Sequence, residues 1–101
     1  RQDEVECEEA VAELVECCPG FDRSAVYCQY NDVCGVSYPD LAPDESECIL
    51  DKKCSQIRGK RICERVVARG ADAKKTRDDG PVLVDGGLTY PRGTNYPAVC
   101  E

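Results

Sequence analysis

The sequence predicts a small, mainly α-helical, disulfide-rich domain of about three helices with a short C-terminal β-hairpin. Three observations carry that prediction. Nine cysteines are spread through every segment of a 101-residue chain, apolar residues recur at helical spacing in the first eighteen positions, and an Asp-Gly turn separates two short apolar runs near the end. A chain of this length favours one domain and buries only a modest share of its unfolded surface. With no Trp or Met, one Phe (Phe21) and 33% charged residues, apolar burial alone falls short of the entropy of ordering the chain.

The first helix is expected from Asp3 to Cys18. Asp3 is placed to cap it with Glu6 three residues on, and Cys7, Val11, Leu14 and Cys18 fall on one face. Glu16-Cys17-Cys18-Pro19-Gly20 ends it, because Pro19 disfavours helical geometry at Cys18 and Gly20 permits a turn. Neighbouring helical side chains point in different directions, so Cys17 and Cys18 are expected to staple the helix end to two separate segments. Asp22-Arg23-Ser24 can cap a short helix through Cys28, and the stretch from Tyr30 to Tyr38 reads as turns.

A second helix is expected from Asp44, with Glu47 completing its cap, to about Ile57, with Leu50, Cys54 and Ile57 on one face and Cys48 well round from Cys54. Gly59 breaks it, and a third helix follows with Ile62, Cys63, Val66 and Val67 as its apolar side. Residues 69–80 are small or charged and read as a flexible loop. Val82-Leu83-Val84 and Leu88-Thr89-Tyr90 around Asp85-Gly86-Gly87 read as the hairpin. The chain thus divides into a disulfide-stapled helical domain over 1–68, a charged flexible loop over 69–80, and a hairpin with an irregular tail over 81–101 packed on the same domain.

Cys7, Cys17, Cys18, Cys28, Cys34, Cys48, Cys54, Cys63 and Cys100 are disulfide candidates, each bridge contributing about 2–4 kcal/mol. Zinc and iron–sulfur sites fit poorly: the closest non-adjacent cysteines have five residues between them and the chain has no His. A disulfide frame places the protein outside the reducing cytosol, in an extracellular, periplasmic or cell-surface setting. The first residue, Arg1, fits a removed leader, and no apolar run approaches the length of a bilayer span. Nine is odd, so one cysteine stays outside the intrachain bridges, and each choice of eight allows on the order of a hundred pairings. Cys28 and Cys34 can bridge each other or reach back to the double cysteine.

Charge is divided along the chain. Residues 1–51 carry fourteen Asp/Glu against Arg1 and Arg23, whereas residues 52–77 carry ten Lys/Arg against Glu64 and Asp72. One reading is complementary rims between an acidic first helix and basic later ones. The sharper reading is a basic face of Lys52, Lys53, Arg58, Lys60, Arg61, Arg65 and Arg69 for an anionic partner such as a surface polymer, a lipid headgroup or an acidic protein patch. Nucleic acid is disfavoured by the net charge of −7 and by the lack of aromatics interleaved with the basic residues.

The absence of His removes Ser-His-Asp and Cys-His catalysis and His-ligated zinc. No phosphate loop, dinucleotide fingerprint, calcium loop or Cys-x-x-Cys motif occurs, so neither catalysis nor a cofactor is expected. Tyr90-Pro91-Arg92-Gly93 suggests a loop that presents Arg92 to a trypsin-like protease, which makes an inhibitor one alternative; a binder of anionic ligands through residues 52–77 is another. The pattern of Leu14-Val15-Glu16-Cys17-Cys18-Pro19-Gly20-Phe21, Cys28, Cys34, Tyr38-Pro39-Asp40-Leu41 and Ser46-Glu47-Cys48-Ile49 resembles small cysteine-rich exported proteins of myxobacteria and related deltaproteobacteria, many of them lipoprotein-like and without assigned function. The resemblance spans about residues 7–66 and rests on cysteine spacing. It implies export; a lipid anchor would need a cysteine at the mature start, where this sequence has Arg1. The expected role is a secreted or surface-displayed structural or interaction module, extending to an extracellular assembly, whose partner is another protein or a second copy of itself.

Overall fold

In the computed structural model, residues 2–29, 39–79, 82–84, 87–89 and 99–100 are described. Helix α1 spans Gln2–Cys17 and buries Cys7, Ala10, Val11, Leu14 and Cys17, one stripe at helical spacing. Because the helix already includes Gln2, Asp3 lies within it and not at its cap. The inner stripe ends on Cys17, three residues after Leu14, and Cys18 is only half-buried. Cys18 still donates its N–H to the Leu14 carbonyl (2.9 Å), after which Gly20 takes a φ of 80° that suits glycine far better than other residues.

A single 3₁₀ turn, Arg23–Ala25, follows. It replaces the expected helix through Cys28, since the backbone is already extended at Val26. The Asp22 carboxylate accepts from the Ser24 N–H (2.9 Å) and hydroxyl (2.6 Å), which favours a local turn over helix propagation. Farther on, the chain is closed by a reciprocal pair: Asp40 donates its N–H to the Tyr27 carbonyl and accepts from the Tyr27 N–H on its carboxylate, each at 2.8 Å.

The expected second helix is two helices. Helix α2 spans Pro43–Leu50 and α3 spans Cys54–Gly59. Pro43 occupies the first helical turn, where its missing N–H costs nothing, and Glu45 accepts from the Ala42 N–H at 2.9 Å. Asp44, expected to cap, lies inside the helix. The break comes because Gln56 takes the Lys53 N–H (2.9 Å) and starts a new helix there. Breaking the helix also breaks its expected face: Ile49 and Ile57 are buried, while Leu50 is exposed.

Helix α3 does end at Gly59, but the left-handed residue of the corner is Arg61, with a φ of 55°. Helix α4 then runs Ile62–Asp79. It buries Ile62, Cys63 and Val66, and Val67 faces outward at 42% exposure. The expected loop over 69–80 is corrected: residues 69–79 form the second half of α4. Its small residues serve close packing. A Cβ on Gly70 would stand 1.8 Å from the Ala25 carbonyl oxygen, so only glycine lets α4 lie against the 3₁₀ turn at this distance. Arg69 is 6% exposed and donates to Glu45 at 2.8 Å, and Ala73 is buried.

The core gathers Leu14, Leu41, Ile49, Ile57, Ile62, Val66 and Val99 around α1, and four bridges cross it. Cys7–Cys28 joins α1 to the segment after the 3₁₀ turn. Cys17–Cys54 and Cys18–Cys63 join its end to α3 and α4, so the adjacent cysteines reach separate segments as expected. Cys48–Cys100 ties α2 to the tail, and Cys48 and Cys54 have different partners. The sequence separations are 21, 37, 45 and 52. On a chain-entropy account each such loop contributes roughly 3–4 kcal/mol.

The backbone of β1, Val82–Val84, pairs antiparallel with β2, Gly87–Thr89, placing Leu83 opposite Leu88. The turn between them and the packing of the expected hairpin on the helices lie outside the described residues.

Candidate functional site

The clearest unpaired surface is the corner built by α3 and the start of α4. Residues 52–63 contain five Lys/Arg and no acid. Helix α3 is held inward by buried Ile57 and by Cys54, bridged to Cys17, and the next helix is held by Cys63, bridged to Cys18. Everything else on this short helix faces solvent.

The seven basic residues expected as one face separate into three groups. Arg69 is removed from it, buried against Glu45, which also accepts the Ala42 N–H and so couples the start of α2 to α4. Arg58 donates to the Cys17 carbonyl at 2.9 Å, one of the four carbonyls that end α1 without an intrahelical partner. Lys53, Lys60 and Arg61 are exposed, and Lys52 and Arg65 are half-buried. Lys60 and Arg61 directly precede the first turn of α4, and Arg61 holds the left-handed conformation that costs a side-chain-bearing residue about 1–2 kcal/mol.

Beside this corner lies an apolar groove of about 310 Å³ lined by Cys18, Pro19, Gly20, Phe21, Cys63, Glu64 and Val67. Sequence reasoning misses it because Val67 has the spacing of a core residue and Phe21 follows a turn. The Pro19-Gly20 turn beside Cys18 is the one available signal. A second groove of about 310 Å³ lies between α1 and the 3₁₀ turn, lined by Glu8, Val11, Arg23, Val26, Tyr27, Cys28 and Gln29.

Asp22 is an exposed carboxylate whose pKa is lowered, first by the Ser24 hydroxyl and then by the Ser24 N–H. Those contacts describe a turn cap. Glu13 comes within 4.8 Å of Cys17 and Cys54, but the two sulfurs are bonded to each other and offer no thiolate to a metal. The four bridges use eight of the nine cysteines in the sequence, and the ninth is Cys34. Cys34 and Arg92, with the loop expected to present it to a protease, lie outside the described residues. Among the described residues no helix is long and apolar enough to cross a membrane.

Compared with known protein families, with curated proteins and with solved structures, the chain matches none.

Proposed function

We propose that this protein is a disulfide-clamped interaction module, secreted or displayed on a cell surface, that binds through the α3–α4 corner and performs no catalysis. The observation that carries the reading is that Lys53, Lys60 and Arg61 are exposed on elements fixed by the Cys17–Cys54 and Cys18–Cys63 bridges. Charges held on a rigid frame lose little conformational freedom on binding, so more of their attraction reaches the affinity. The four bridges support an oxidising compartment, and the resemblance to exported cysteine-rich proteins supports the same location. The pairing of Val82–Val84 with Gly87–Thr89 supports a C-terminal hairpin as part of the module.

A second reading, an anionic surface polymer as ligand, uses the same corner and is favoured by the run of residues 52–63 without an acid. The test compares wild type with Lys60→Glu/Arg61→Glu in two assays, retention on a heparin column and self-association in solution, with thermal melts as a control. Salt-sensitive binding in either assay, lost in the variant at unchanged melting temperature, supports the corner as the site. A wild-type protein that binds in neither assay removes this reading.

A further inference from the structure

The outer face of α1 offers a counterpart to that corner. The inner stripe of α1 already lies in the core, yet Val5 and Val15 remain 45% and 40% exposed. Glu8, Glu9, Ala12 and Glu16 are also exposed. Val5 and Ala12, and likewise Glu8 and Val15, are seven residues apart and recur on one side of a helix. Gln2–Cys17 contains seven acids and no base, against five bases and no acid in residues 52–63. Among the described residues, Glu8, Glu9 and Glu16 make no ion pair within the molecule, nor do Lys53, Lys60 and Arg61.

We propose that the α1 outer face of one copy docks on the α3–α4 corner of a second copy, its exposed valines against the groove of Phe21, Val67 and the Cys18–Cys63 bridge, its glutamates against Lys53, Lys60 and Arg61. This rests on the corner being a binding site and names its partner. The two surfaces match in kind: each interleaves exposed apolar and charged side chains, and the dominant charges are of opposite sign, a complementarity that favours docking. Glu64, the acid in the groove, opposes the incoming glutamates and keeps the association weak. The two surfaces are different patches of one molecule, so the contact is heterologous and builds a ring or an open chain unless it closes on a two-fold axis.

The test is sedimentation velocity on the oxidised protein carrying Cys34→Ser, which removes any covalent dimer. At about 20 mM salt, where surface charges interact over ~20–30 Å, the average mass should at least roughly double with rising concentration, and at about 0.5 M it should return to that of a monomer. Glu8→Lys/Glu9→Lys and Lys60→Glu/Arg61→Glu should each remain monomeric, and mixing the two should restore a complex. Glu64→Lys should strengthen association of the parent protein. A protein that stays monomeric at low salt overturns the proposal, as does association that survives both charge reversals, or reversed partners that fail to rescue each other. A monomer that nonetheless binds heparin through Lys60 and Arg61 overturns self-association and leaves the corner as a binding site.

Discussion

The surroundings of α1 and the second half of α4 are held by different means. Helix α1 and the Cys18 that follows it send out three bridges, to the segment after the 3₁₀ turn, to α3 and to the first turn of α4. Beyond Cys63, α4 has no cysteine. Its continuation depends on the approach of Gly70 to the Ala25 carbonyl, on the Arg69–Glu45 ion pair and on buried Ala73. A crosslink acts largely by restricting the unfolded chain and tolerates some imprecision in the folded one. Close approach has no such tolerance, because it fails on the addition of one methyl group.

The sharpest way to break this contrast is reduction of the bridges. Removing several contributions of about 3–4 kcal/mol each exceeds the stability such a small domain can retain. The reduced protein is expected to lose its cooperative melt, followed by far-UV circular dichroism; a native-like melt after full reduction would contradict a frame held by disulfides. Next comes Gly70→Ala. The added Cβ meets backbone, not a flexible side-chain end, and the expected cost is roughly 3 kcal/mol. Hydrogen exchange should show that loss across residues 69–79 before α1.

Arg69→Ala breaks a buried pair and leaves Glu45 with only its cap contact to Ala42. The expected loss is about 2–3 kcal/mol, less than a fully orphaned charge would cause, measured by urea denaturation of the oxidised protein. The smallest effect belongs to Asp22. Its folded pKa is lowered by Ser24, so its contribution is complete above the ordinary carboxylate value and is lost as pH falls through the lowered one. Asp22→Asn should therefore lower stability slightly at neutral pH, and the difference from wild type should vanish as pH falls through the lowered pKa; a difference that stays constant into acid would contradict a contribution from the charge.

The same contrast separates the features legible in the sequence from those that are not. The α1 stripe through Cys7, Val11 and Leu14 and the separate destinations of Cys17 and Cys18 follow from helical geometry, which acts within a few residues; Cys48 and Cys54 do have different partners, but they sit on two helices and not round one. Two helices in place of one depend on Gln56 capturing the Lys53 N–H, a competition that periodicity does not reveal. Residues 69–79 read as a loop because glycine, alanine and charged residues offer nothing to bury. Their role is to be small beside Ala25 and to pair with Glu45, both set by residues more than twenty positions away. The site is legible to the same degree: the basic run is plain in the sequence, but the loss of Arg69 to the interior and of Arg58 to the end of α1 requires the packed chain.

The bridges overlap in sequence, 7 with 28, 17 with 54, 18 with 63 and 48 with 100, so every peptide bond from Cys7 to Cys100 lies inside at least one covalent loop. A protease that hydrolyses any one of them opens a ring without releasing a fragment. The nicked molecule keeps its mass plus one water, migrates as a single species until a reductant is added, and still presents α1 and the basic corner on one body. Resistance to digestion is therefore a property of connectivity here, separate from how tightly the chain is folded.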